Sequence, residues 1–485
     1  MIISDLHLGE DIKPASSKMG FLRHVVLLER ALEAFLNHHA ATRLDDRPWR
    51  LIVNGDMVDF LSICLLPGAH DDASDAGERV APEDHVYGLG TRPQAARAKM
   101  RRVLERHPGV FGALARFLGA GNDLQIVAGN HDVEFHWPIV QETFKQGIGA
   151  RWTAEPAAAE PGARAAGDIE AAITFHPWFY FQENVVWVEH GHQYDDYCSF
   201  DYVLDPVAPQ GDQIVMNVGA AGMRYVSNQF EAGHAGDADD WTAWEYVRWS
   251  FAKGARGLWR IAKGYFHMVV GMLTMWRIFM RQPEAVEARR LTHRERLRDL
   301  AAQVKLSEET LLAVENLRRR PIVTNLLAVV MAVMLDRLLV VIAATLLVLT
   351  SVLALPWLWA GAAVASVLAL AFGANLVLSR RRDVDTTAKM RAVPEQIRRH
   401  VRAPFVVFGH SHKPVALELE GGGWYFNTGA WVATEKLGLP RAFTHVLIRH
   451  SAQGPLAALR QWRDGGSHEF TPPVLYPPPC RSPRT

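Results

Sequence analysis

Short aliphatic runs alternate with stretches of helical period through the first part of the chain. Ile2-Ile3, Leu51-Ile52-Val53 and Leu124-Gln125-Ile126-Val127 read as strands, and apolar residues recur at three- and four-residue spacing over 21–39 and 94–118. That rhythm predicts an α/β domain. Residues 173–181 and 185–189 predict a hairpin turning at Glu183-Asn184. After Arg402 strands return over 405–408, 415–419, 424–426 and 444–448, with Gly421-Gly422-Gly423 as a turn. The Gly/Asp/Pro-rich stretch 67–91 and the Ala/Pro/Gly-rich stretch 154–168 read as surface loops, and the Pro-rich end of the chain as a disordered tail.

The pattern changes between His192 and His410. The stretch to about residue 245 is polar and irregular, and 241–282 is helical, rich in Trp, Phe and Met with Lys and Arg interspersed, which suits either a cap helix or an interfacial amphipathic helix. Residues 338–379 then run for 42 positions without Asp, Glu, Lys, Arg or His. As helix this is roughly 60 Å, two crossings of a hydrocarbon layer about 30 Å thick. Pro356 is the natural turn, giving crossings near 338–355 and 357–378, with Trp357 and Trp359 at an interface. The apolar stretch 322–335 is short and either lies along the surface or extends the first crossing. The domain expectation is therefore a core in two parts, 1–196 and 383–465, separated by a helical insertion over 197–320 and a membrane hairpin over 321–382, with the tail at 466–485.

Composition narrows the function classes. Lys plus Arg equals Asp plus Glu at 52 each, so no global field favours nucleic acid, and none is expected as partner. Three scattered cysteines, Cys64, Cys198 and Cys480, make neither a disulfide framework nor a zinc-cysteine site. No charged n-region and apolar h-region open the chain, so no cleavable signal is expected. Met1 lies only four residues before Asp5, leaving a very short first strand, and a few upstream residues are expected to be missing from this reading frame.

The chemistry sits in five blocks, each closing a predicted strand: Asp5-Leu6-His7, Gly55-Asp56-Met57-Val58-Asp59, Gly129-Asn130-His131-Asp132, His190-Gly191-His192 and Gly409-His410-Ser411-His412. Strand ends of one sheet gather at one edge, so these carboxylates and imidazoles are expected to meet. Cleaving a phosphoester at neutral pH needs a strong nucleophile and neutralised phosphoryl oxygens, which two metals about 3.5–4 Å apart supply. Taken singly the blocks have ordinary uses: Gly55-Asp56 as a turn, Asp132 as a helix cap, His410 and His412 as surface histidines. Four blocks precede the hairpin and the fifth follows it, so a working centre needs both ends of the hairpin on one side. Arg318-Arg319-Arg320 and Arg380-Arg381-Arg382 flank the hairpin, placing that side in the cytoplasm.

Block for block and in order, these resemble the calcineurin-like metallophosphoesterase superfamily, with its DxH, GDxxD, GNH(D/E), H and GHxH pattern, over about 1–195 and 401–450. The resemblance implies a β-sandwich flanked by helices (αββα), here interrupted by the helical insertion and its two-helix transmembrane hairpin. It also implies that Asp5, His7, Asp56 and His412 hold a first divalent metal, that Asp56 bridges to a second, and that Asn130, His190 and His410 complete it. A metal-bridging hydroxide would attack phosphorus, with His131 aiding the departing oxygen and Asp132 orienting its ring. His192 competes with His190, and the superfamily's placement of this ligand directly at the strand end favours His190. Asp59 reads as a loop-stabilising residue, and Asn427-Thr428-Gly429 as a buttress of the 409–412 loop. Oxygen and nitrogen ligands without thiolate suit manganese first, or iron or zinc.

The chain is also distantly similar to UDP-2,3-diacylglucosamine hydrolase, but that family commonly has arginine at the position of His131 and lacks a hairpin. The expectation is thus a membrane-anchored phosphoesterase of the cytoplasmic face of the inner membrane, acting on a phosphomonoester, phosphodiester or pyrophosphate of a small-molecule or lipid-linked substrate. The alternatives are a phosphodiesterase for a soluble nucleotide-type substrate and a membrane scaffold of the same fold.

Overall fold

A computed structural model describes residues 1–13, 19–68, 80–229, 254–380, 385–432 and 442–472, with positions 248 and 252. Twelve strands among them form two sheets. The first contains β1 (Ile2–Ile3), β2 (Arg50–Asn54), β3 (Asp123–Val127), β4 (Ile173–His176), β10 (Thr444–Ser451), β11 (Gly454–Arg463) and β12 (Gly466–Glu469), in the order β12-β11-β10-β1-β2-β3-β4. The second contains β5 (Phe179–Gln182), β6 (Val186–Glu189), β7 (Phe405–Phe408), β8 (Val415–Glu418) and β9 (Trp424–Asn427), in the order β5-β6-β7-β9-β8. β1 to β4 pair in parallel, as do β6, β7 and β9, which puts their carboxyl ends at one edge of each sheet.

Strand alternation assigns each residue to a layer. Ile3, Leu51 and Val53 point to helices α1 (Met19–Ala41), α2 (Pro93–Arg106), α3 (Pro108–Gly119) and α4 (Pro138–Thr153), meeting Phe35, Val103, Phe111 and Phe144. Their neighbours Ile2 and Ile52 point the other way, onto Val186, Val188, Phe405 and Val407 of the second sheet. Val406 and Phe408 face outward again, onto Leu297 and Leu300 of α7 (Pro283–Val304) and Met390 and Ile397 of two short helices. The result is mixed α/β, two sheets stacked between helical layers. Each such side chain, fully buried, contributes roughly 1.5–3 kcal/mol.

Three expectations need correction. The stretch 94–118 is two helices, because Pro108 cannot continue the first and instead opens the second. The stretch 173–181 is not one hairpin arm: it breaks at Pro177-Trp178, so β4 belongs to the first sheet and β5 to the second. The tail begins later than 466, since β12 pairs with β11 there, and 473–485 lies outside the described residues.

In the insertion, α5 (Val218–Tyr225) and α6 (Gly254–Arg281) are described; 230–247 are not. The stretch 322–335 forms a single 3-10 turn and α8 (Leu326–Ala332), stopped by left-handed Met334, and Val329 and Val333 pack beside Met272 of α6. Then come α9 (Leu335–Ala354) and α10 (Trp357–Arg380), turning at Leu355-Pro356. Both are long and apolar enough to cross a membrane, and neither is buried inside the protein. At their base the Arg337 guanidinium donates to Ser379 Oγ at 2.9 Å.

Candidate metal centre

All five blocks meet where the carboxyl ends of the two sheets converge. The Asn54 side-chain amide donates to the Glu189 carbonyl across the sheets (3.0 Å), and the Gly409 amide to the His190 carbonyl (2.9 Å). The amides of Leu6 and His7 both donate to the Asp56 carbonyl at 2.9 Å. Asp5, His7, Asp56, His410 and His412 all take left-handed backbone, φ 48–64°. For non-glycine residues this costs of order 1–2 kcal/mol each and persists only where surroundings impose it. Here it occurs in three loops, 5–7, 55–56 and 409–412, that carry side chains of the two groups.

Among the described residues four groups could hold a metal; His7/Asp59/His131 and Asp195/Cys198/His410, the one with a thiol, overlap the other two, which share a wall. In the first, donor atoms of Asp5, His7 and His412 lie within 4.8 Å of one another, with His412 Nε2 3.1 Å from Asp5 Oδ1 and 3.2 Å from His7 Nε2. In the second, Asp56, His190 and His410 are grouped likewise, and His190 Nε2 is 3.2 Å from both Asp56 Oδ2 and Asn130 Oδ1. Asp56 Oδ2 also lies 3.9 Å from His7 Nε2, between the groups. His190 Nδ1 is held by the Asn54 carbonyl at 2.8 Å, which leaves Nε2 facing the centre. His192 is buried outside both groups, whereas His190 stands in the second.

The glycines of the blocks are close-approach positions. A Cβ on Gly55 would collide with the His190 ring, one on Gly129 with the Asp56 carboxylate, and one on Gly409 would lie 2.8 Å from Asp5 Oδ2. Asn427 Nδ2 donates to the Gly409 carbonyl (2.6 Å) and Ser411 Oγ (3.1 Å), bracing the 409–412 loop as anticipated.

His131 sits at the partly exposed rim with its amide on Asp56 Oδ1 (2.8 Å). Its ring is oriented by Asp59, not Asp132: His131 Nδ1 is 2.8 Å from Asp59 Oδ1. Asp132 is taken up instead by the backbone amides of Met57 (2.7 Å) and Gly129 (2.6 Å), because its side chain turns under the loop rather than along the imidazole. Asp59, beyond bracing the loop through Ser62, also lies 3.4 Å from His7 Nδ1. One further acid escaped sequence reasoning: Asp195 Oδ2 is 3.2 Å from His410 Nε2. The Asp195-Asp196 pair after a 3-10 turn carries no spacing signal.

The electrostatics ask for cations. Asp5, Asp56 and Asp59 are all but fully buried, and among the described residues their ion-pair partners are histidines, not Lys or Arg. Burial would raise Asp56, yet His190 and His131 hold it well below the carboxylate range; Asp5 is lowered in the same way by His412. Conversely burial would depress His190, but Asp56 lifts it to about 10, and Asp59 and Asp56 lift His131 to about 9. Asp5 Oδ1, fully buried, has the His412 ring beside it at 3.1 Å but without hydrogen-bond geometry. Buried carboxylates whose only ion-pair partners among the described residues are imidazoles fit divalent metal, whose binding would replace imidazole protons.

Beside Asn130 opens a cavity of about 280 Å³. Phe60, Met216, Met275 and Ile278 give it apolar walls, and Lys99 and Glu134 polar ones. Both Glu134 oxygens are buried without a hydrogen-bond partner, and burial pushes that carboxyl up to about 7.

No family model, curated protein or solved structure matches this chain.

Proposed function

We propose that this protein is a membrane-anchored hydrolase of phosphoric esters, of the calcineurin-like metallophosphoesterase kind, working with two divalent cations. The observation that carries this reading is Asp56, whose carboxylate lies between an Asp5/His7/His412 group and a His190/His410/Asn130 group. Asp5, His7, Asp56 and His412 would hold one cation, and Asp56, Asn130, His190 and His410 the other, manganese first among the candidates. When bound, the pair supplies neutralisation of phosphoryl oxygens and a water ionised at neutral pH. His131, its Nδ1 engaged by Asp59, has only Nε2 to offer and would donate it to a phosphoryl or leaving oxygen at the rim.

The substrate class follows from what surrounds the centre. The cavity beside Asn130 suits an ester whose alcohol carries an apolar group, and α9 and α10 would hold the site where lipid phosphates are concentrated. Both halves of the site flank the hairpin, so its two crossings return the chain to one side, and the arginine clusters at 318–320 and 380–382 favour the cytoplasm.

The test is hydrolysis of p-nitrophenyl phosphate and bis-p-nitrophenyl phosphate by the detergent-purified chain, with manganese titrated in after chelation, beside Asp56→Ala and His131→Ala. Metal-dependent turnover lost in both variants supports the hydrolase. Two metals bound per chain with no turnover of these esters or of lipid phosphates would leave a scaffold.

A further inference from the structure

Helix α6 has two faces with different commitments. Gly264, Met272 and Met275 are buried against the protein, and a Cβ on Gly264 would collide with the Tyr225 carbonyl. On the other side Trp259, Phe266, Val270 and Met280 are 71%, 62%, 43% and 62% exposed. Around them stand the exposed cations Arg256, Lys263, Arg277 and Arg281, and the 28 residues of the helix include no acid. Large apolar side chains in a helical row, bracketed by cations, suit a helix lying in the headgroup layer of a bilayer.

Position points the same way. The Tyr265 hydroxyl donates to the Val333 carbonyl at 2.6 Å, two residues before α9 begins. Arg337, four residues after Val333, closes the base of the hairpin against Ser379. The middle of α6 is therefore packed where the two apolar helices begin and end, so a bilayer that takes up α9 and α10 brings its headgroups to α6.

We propose that the exposed face of α6 is a second membrane contact, seated among anionic headgroups of the leaflet from which the hairpin emerges. This rests on the hairpin being inserted and is independent of hydrolysis. The aromatic and aliphatic side chains enter the headgroup boundary, and the cations pair with lipid phosphates. Because Met275 and Ile278 on the inner side wall the cavity beside Asn130, a seated α6 sets the candidate centre against the leaflet.

The experiment uses the full chain in nanodiscs of phosphatidylcholine, with or without phosphatidylglycerol, and p-benzoylphenylalanine placed at Phe266, at Val270, at Leu291 of α7 as an exposed control, or at Leu349 of α9. The expected result is lipid adducts at 266 and 270 several-fold above those at 291. They should rise with phosphatidylglycerol and fall several-fold when Arg256→Gln, Lys263→Gln and Arg277→Gln are combined. Adducts at 349 with none above the control at 266 and 270 would overturn the α6 contact alone. Cross-links from 266 to a second copy or to the chain itself, in place of lipid, would do the same. Absence of lipid adducts at 349 as well would overturn the inserted hairpin with it.

Discussion

Replacing Gly129 by alanine tests whether Asp56 is the shared ligand. The new Cβ would strike the Asp56 carboxylate and lie 2.7 Å from the Asp56 amide nitrogen, about 0.7 Å inside the 3.4 Å at which ordinary contact begins. A backbone nitrogen cannot rotate away, so one of the two strand ends must shift. Gly129 is not in the left-handed region, so alanine brings no backbone strain of its own and the effect is purely steric. Metal–ligand distances tolerate only about 0.2 Å, so a displacement of this size removes at least one bond from Asp56. Losing a group that only orients a ligand costs roughly 10–100-fold in affinity, so losing a direct bond should cost at least that, about 1.4–2.7 kcal/mol or more. Manganese titration of the chelated, detergent-purified chain by calorimetry reads this directly, with Gly222→Ala, which meets nothing within 4 Å, as control. Two ions bound with unchanged affinity by a folded Gly129→Ala protein would refute a carboxylate held between two metals.

Asp59→Asn removes the charged partner of His131 and should lower hydrolysis roughly 10–100-fold. Asp132→Asn should leave the His131 ring in place, as its NMR signals in the two variants would show. Chelation should lower the melting temperature, and manganese at one hundred times its dissociation constant should restore about 2.7 kcal/mol per site, read by thermal scans with and without the ion. Acid should destabilise the first sheet from its far side. Burial holds His39 neutral to about 4 and His445 to about 3, whereas both would protonate near 6.5 once unfolded. The share of stability that these two groups supply is thus intact above about 6.5 and is lost as pH falls toward 4, by roughly 3 kcal/mol for His39 alone, against the opposite contribution of buried carboxyls such as Glu134. His445→Leu should therefore make the pH dependence of the melting temperature between about 6.5 and 4 less acid-sensitive than in the parent, and an identical dependence in the two would contradict this.

What was legible in the chain was whatever is written locally. Ile2-Ile3, Leu51-Val53 and Phe405-Phe408 read as strands because burial on both faces leaves no room for polar residues. The five blocks were legible because each opens within two positions of the end of such a strand. The charge-free run at 338–379 announced α9 and α10 by length alone. Partner choice was another matter. That Asp59 rather than Asp132 meets His131 depends on which way two neighbouring loops turn, and the approach of Asp195 to His410 joins positions 215 residues apart. The split at Pro177 and the break at Pro108 did carry a local signal, which the surrounding apolar pattern outweighed. Strands β11 and β12 hid because their burial is partial and their alternation weak.

The place of β7 has a consequence for how the molecule is made. It lies between β6 and β9, yet 215 positions separate His190 from Phe405, and both apolar helices fall in that interval. At about 5–20 residues per second, synthesis takes on the order of ten to forty seconds to cross it. Throughout that time the second sheet consists of β5 and β6, a pair too small to be stable by itself. Asp5, His7, Asp56, Asn130 and His190 are made well before His410 and His412. The hairpin therefore leaves the ribosome ahead of the strand and loop that carry the last two histidines, and the candidate centre can be complete only after the apolar helices have had the chance to find a bilayer.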